Sequence, residues 1–140
     1  GFVTALFKAT FYRVTHSYSD PNEVMFHVNN ELSRIIKTGD YITSVYCHLK
    51  KENREITFSG AGHPYPIVYH KATQTISRLE ANGTPLVWIE NMEYPCEKVC
   101  LEPGDKVLLF SDGITEMRGP NDELFGETAL EETFKKINDE

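Results

Sequence analysis

Three cysteines, Cys47, Cys96 and Cys100, are all that the 140-residue chain contains. They form no Cys-x-x-Cys pair, and an odd count without such spacing excludes both a disulfide framework and a zinc knuckle. Cys47 and Cys100 fall in strand-like apolar stretches, where a free thiol packs as a small hydrophobe. No apolar run approaches the roughly 20 residues of a membrane span. The first residues show no basic stretch followed by an apolar core and a cleavage site, so no secretory signal is visible. Together these features set the expectation of a reducing, cytoplasmic location without membrane contact. Basic residues are also scarce: 14 Lys and Arg stand against 21 Asp and Glu, giving a formal net charge of −7. Lys50-Lys51 and Lys135-Lys136 are the only adjacent basic pairs. A nucleic-acid partner needs clustered cations to displace counterions, so that class is excluded. No internal repeat, low-complexity tract or interdomain linker is present.

What remains is ordinary for a globular domain, 40% hydrophobic and 25% charged. Val3, Leu6, Phe7, Thr10, Phe11 and Val14 recur at helical spacing. After Ser19-Asp20-Pro21, a cap and first-turn signal, Val24, Met25, Val28, Leu32, Ile35 and Ile36 repeat that spacing until Gly39. The pattern then turns to strand alternation from Tyr41 to Leu49, with a turn at 51–53 and a returning strand from Arg54 to Ser59. Both faces carry apolar groups, which predicts a sheet covered on both sides. Shorter strands are expected over 67–70, 75–79, 93–100 and 106–111, a polar loop over 117–123 and a final helix over 128–137. Segregated helices and antiparallel strands mean α+β.

The most informative stretch is Val107-Leu108-Leu109-Phe110-Ser111-Asp112-Gly113, an apolar strand that ends abruptly at an Asp-Gly. A buried strand delivering one carboxylate at its tip, followed by a glycine, aims a hard oxygen ligand of the kind that divalent cations favour. The same dipeptide is also a common turn. Its company decides between the readings: Gly1-Phe2-Val3-Thr4-Ala5-Leu6-Phe7, Ser59-Gly60-Ala61-Gly62-His63-Pro64, Gly83-Thr84-Pro85-Leu86, Leu101-Glu102-Pro103-Gly104-Asp105-Lys106 and Leu124-Phe125-Gly126.

In order and spacing these motifs resemble the SpoIIE/RsbU-type branch of the bacterial PPM serine/threonine phosphatases, which are similar to protein phosphatases of type 2C. The resemblance implies an α-β-β-α sandwich, with antiparallel sheets flanked by helices. It implies hydrolysis of phosphoserine or phosphothreonine by two Mn²⁺ or Mg²⁺ ions, which lower the pKa of a bound water and clamp the phosphoryl group. Asp112 is the metal-ligating side chain that it assigns, and no other catalytic residue is identified. Gly113 is adjacent to the site and would let the backbone clear it. Gly1 matches the last glycine of the family's Asp-x-Ser-Gly-His-Gly motif, whose Asp bridges the metals.

The expectation is therefore one partial domain, residues 1–140, truncated at both ends, with the bridging Asp ahead of Gly1 and another ligand beyond Glu140. Such a fragment would be inactive alone and would not fully bind its metals. Unpaired sheet edges would favour a homo-oligomer. The implied substrate is a phosphorylated anti-sigma-factor antagonist or similar phosphoprotein, and the implied setting is bacterial signalling. The alternative is a non-catalytic pseudophosphatase, a regulatory binding module that keeps the fold without the metals. His63 reads as a structural turn histidine, since a two-metal site does not require it. Thr115 and Glu116 read as capping residues, Ser111 lacks a nucleophile elbow, and Trp88 and Tyr94 are candidate docking aromatics.

Overall fold

In the computed structural model, which describes residues 1–139, the two apolar stripes at the start of the chain form α1 (Phe2–Thr15) and α2 (Pro21–Ile35). Pro21 occupies the first turn of α2, where its missing N–H costs nothing, and Asp20 is the N-cap residue. The Asp20 cap acts through its backbone: its carbonyl accepts from Val24 N–H at 2.9 Å, with no side-chain cap bond. α2 ends four residues before Gly39, because Ile36 already has extended backbone, φ −86° and ψ 109°.

Seven strands follow: β1 (Ser44–Lys50), β2 (Glu55–Ala61), β3 (Ile67–His70), β4 (Thr75–Arg78), β5 (Asn82–Gly83), β6 (Glu97–Cys100) and β7 (Lys106–Leu108). They are followed by the four-residue α3 (Asp112–Thr115) and by α4 (Gly126–Asp139). The chain divides into two compact units, the first comprising Gly1–His63 with Ala81–Cys100 and the second Pro64–Glu80 with Leu101–Glu140.

In the first unit β2 is the central strand, antiparallel to β1 and β6. It also runs parallel to β5 through Gly60↔Asn82 and Ala61↔Gly83, a short exception to the expected antiparallel pattern. Every residue of β2 from Ile56 to Ala61 is buried, so this strand is covered on both faces, whereas β1, whose two-sided apolar pattern raised that expectation for the sheet, has no buried residue. Val24, Met25, Val28 and Leu32 of α2 pack with Val14, Ile36, Ala61, Leu86 and Tyr94 in one core. Each fully buried aliphatic side chain there contributes about 1.5–3 kcal/mol. The strand expected from Tyr41 starts at Ser44 instead, because Ile42 bridges to Leu86, outside the reach of β2. The strand expected from 93 to 100 is confined to β6, since Tyr94 turns into the core and Pro95 cannot donate to a ladder.

The second unit is a three-stranded antiparallel sheet in the order β4-β3-β7. α4 packs on β3 and β4, and Ile67, Val68, Tyr69, Leu79 and Leu130 are its buried apolar residues. The C-terminal end of α4 is tied to the sheet by polar contacts. The Tyr69 hydroxyl donates to the Asn138 carbonyl (3.0 Å) and to Asp139 Oδ1 (2.8 Å), and Lys71 Nζ donates to the same carbonyl (3.3 Å). Cations at this end also complement the helix dipole. Pro103 and Gly104, the latter at φ +96°, form the turn into β7. Asp105 closes that turn by accepting the N–H groups of Glu102 and Lys71, both at 2.9 Å. β7 stops at Leu108 rather than at 111, because Ser111 becomes the N-cap of α3. The 117–123 loop carries a bridge between Arg118 and Leu124, which makes it a small hairpin.

Candidate functional site

Asp112 is the first residue of α3, directly after the N-cap Ser111. The short helix holds it through its backbone: the Asp112 carbonyl accepts from Glu116 N–H at 2.8 Å and from the Thr115 hydroxyl at 3.1 Å. Its carboxylate is left exposed at a helix start. Thr115 and Glu116 thus serve the turn that presents Asp112. Gly113 lies outside the left-handed region, and a Cβ there would meet only Ser111 Oγ, at an ordinary 3.5 Å. The described residues therefore place no steric demand on this glycine. Gly1, in the first unit, is the N-cap of α1, with open space around its Cα.

Asp112 supplies one hard oxygen donor of the type Mn²⁺ and Mg²⁺ prefer. Among the described residues no group of three or more His, Cys, Asp and Glu side chains is placed to hold a metal ion. The residues present do not by themselves fit a binuclear centre.

The motifs around His63 and Gly83 turn out to be two halves of one packed turn. Gly62 has φ +65°, and a Cβ on it would lie 2.6 Å from Pro85 Cγ. A Cβ on Gly60 would lie 2.6 Å from Asn82 Oδ1. Asn82 Nδ2 donates to the His63 carbonyl at 2.8 Å, and Gly62 N–H donates to Gly83 O at 2.8 Å. At both glycines a Cβ would collide with the facing segment, first with the Asn82 side chain and the Pro85 ring, so no larger residue fits. His63 contributes its carbonyl to this lock, while its Nδ1 is buried without a protein partner.

Of the two docking aromatics, Trp88 is 68% exposed whereas Tyr94 is only 6% exposed. Tyr94 packs its ring over Gly83, and burial pushes its phenol up to about 12, an effect the Thr84 hydroxyl partly offsets. Tyr94 is a core residue and not part of a docking surface. Cys47 is half-buried and burial pushes its thiol up, in line with packing; Cys100, expected to pack, is exposed on β6. Sequence reasoning also missed Asn29, a fully buried amide on α2 that holds the loop after β5, and Asp105. A polar residue on an apolar helix stripe was the available signal for Asn29.

A family profile described as Stage II sporulation protein E (SpoIIE) matches residues 1–140. The chain belongs to the SpoIIE family. This SpoIIE-family chain is 31% identical over 101 residues to the phosphoserine phosphatase RsbU of Bacillus subtilis (strain 168), an alignment covering 72% of the chain and 30% of RsbU. It thus spans about a third of the length of that relative. Its fold superimposes on the RsbU and RsbW domains of a Mycobacterium tuberculosis protein with a TM-score of 0.79, at 20% identity, over 97% of this chain and 37% of that one. A second solved structure is the PP2C phosphatase domain of SpoIIE from Bacillus subtilis with a fragment of its regulatory domain. There the TM-score is 0.76 at 19% identity, over 99% of this chain and 42% of that one. The SpoIIE-family chain therefore has a PP2C-like mixed fold of helices and largely antiparallel sheets.

Proposed function

We propose that this chain is part of a phosphoserine/phosphothreonine protein phosphatase that depends on Mn²⁺ or Mg²⁺. Residues 1–140 form one portion of its catalytic domain, and Asp112 is the metal-ligating carboxylate that portion contributes. The observation that carries the reading is the full-length family match combined with the presentation of Asp112, exposed and backbone-fixed where the β7 segment passes into α3. Two bound divalent ions would supply an activated water and charge for the phosphate oxygens. This chain's own share is to hold one carboxylate still, through Thr115 and Glu116, at a solvent-accessible helix start. The similarity to the phosphoserine phosphatase RsbU supports a phosphoserine protein as substrate; a phosphorylated anti-sigma-factor antagonist, met in the cytoplasm, is the substrate we propose.

The test is phosphate release from a phosphoserine protein by the full-length protein, in Mn²⁺ and in excess chelator. Release in Mn²⁺ that the chelator abolishes is the expected result. No release with either Mn²⁺ or Mg²⁺ would overturn the proposal in favour of a non-catalytic binding module.

A further inference from the structure

The segment from Pro85 to Asn91, in the first unit, is held more firmly than a surface loop requires. Leu86 exchanges both backbone hydrogen bonds with Ile42, at 2.8 and 3.1 Å. Asn29 Oδ1 accepts Val87 N–H and Asn29 Nδ2 donates to Ile89 O, each at 2.8 Å, while Asn30 Oδ1 accepts Asn91 N–H at 2.7 Å. Between these anchors Val87 has φ +78°. A β-branched residue in the left-handed region is a true outlier, and such strain persists only where its surroundings impose it. What the strained segment presents is Trp88, 68% exposed and stacked on Tyr41, itself 63% exposed, with ring centroids 6.0 Å apart.

The two rings border a cleft of about 200 Å³, which Ile36 and Val87 also line. Lys37 Nζ lies 3.4 Å from Glu90 Oε1, so its charge is matched locally. Asp40 carries the remaining charge of the cleft, and the Thr38 hydroxyl orients its carboxylate. Aromatic faces beside a fixed carboxylate form a receptor for a planar cation: a guanidinium can stack on the indole while its N–H groups engage the acid. The chain's net charge of −7 favours the same sign of partner. We propose that the Tyr41–Trp88 cleft docks an arginine side chain presented by a protein partner, independently of the phosphatase reading.

Trp88 is the sole tryptophan, so its fluorescence reports on the cleft directly. The experiment titrates the 140-residue chain with the capped tripeptide Gly-Arg-Gly and, separately, with Gly-Gln-Gly. A saturable change in Trp88 emission with the arginine peptide alone is expected. Asp40→Asn and Tyr41→Ala should each weaken it roughly fivefold or more. Both residues are exposed, and unchanged circular dichroism will show that the variants remain folded. No saturable change, or an equal response to the glutamine peptide, would overturn the assignment. Emission that varies with protein concentration in the absence of peptide would also overturn it, and would assign the cleft to a second copy of the chain.

Discussion

Replacing Asn29 by alanine should cost the chain about 2–4 kcal/mol, far more than its neighbour Asn30. Asn29 has no exposed surface, and its amide both accepts from Val87 N–H and donates to Ile89 O. Alanine removes both bonds and leaves two backbone groups without partners in a partly buried loop, each worth about 1–2 kcal/mol when orphaned. The left-handed Val87 then loses the contact that imposes its conformation. Asn30 makes one bond to the same loop, at Asn91 N–H. Its loss should cost about 0.5–1 kcal/mol. Urea unfolding followed by circular dichroism measures the difference, and a shift of about 1–2 M in the midpoint corresponds to the larger figure. Trp88 emission, read in the same samples, should change before the global transition, because the loop is released first. An Asn29→Ala variant within about 0.5 kcal/mol of the parent would refute the reasoning that side chains of α2 hold this loop in place.

Three further outcomes are expected. Burial works to raise the Asp105 carboxyl, but the Glu102 and Lys71 N–H groups and His70 outweigh it and hold the group below its ordinary 3.8. A lowered native pKa contributes stability that is present above the ordinary value and lost as pH falls through the native one. Acid unfolding curves should therefore steepen below about pH 4, and Asp105→Asn should flatten that loss; identical pH profiles would contradict the assignment. Gly113→Ala should leave thermal stability unchanged or raise it by up to about 1 kcal/mol, since the site has room for a Cβ. If the glycine instead clears a path to the metal centre, phosphate release by the full-length protein will fall while the melting temperature holds. Calorimetry of the 140-residue chain with Mn²⁺ should show no tight binding, because one carboxylate does not make a binuclear site; a low-micromolar affinity would show that the ligands have been misplaced.

Elements with a strong single period were legible in the sequence. The stripe Val24, Met25, Val28, Leu32 defined α2, and the final helix ran only two residues further at each end than its apolar face marked. Boundaries failed where long-range pairing overrode local pattern. Ile42 alternates like a strand residue but finds its partner in Leu86, 44 positions away, so the strand is interrupted after it. Tyr94 looked like a loop aromatic because no local signal announces that Gly83 leaves space for its ring. The Ser59–Pro64 and Gly83–Leu86 motifs were each visible, yet their joining depends on a two-residue parallel pairing, Gly60↔Asn82 and Ala61↔Gly83, that periodicity cannot reveal. For the site, the Asp-Gly after the apolar 107–110 stretch stood out in the sequence, but the expected buried strand does not reach it: β7 stops at Leu108 with no buried residue, and Asp112 is presented by the start of α3. The role of Asn29 was not legible, since a polar residue on a buried face declares its partners only when the fold supplies them.

The most direct test of the central claim compares wild-type full-length protein with Asp112→Asn, in Mn²⁺, for phosphate release from a phosphoserine protein, with melting temperatures measured alongside. Turnover by the wild type is expected, with a loss of at least about a hundredfold in the variant and little change in stability, because Asp112 is exposed. Turnover by Asp112→Asn equal to that of the wild type would contradict the central claim, and would remove Asp112 from the metal centre.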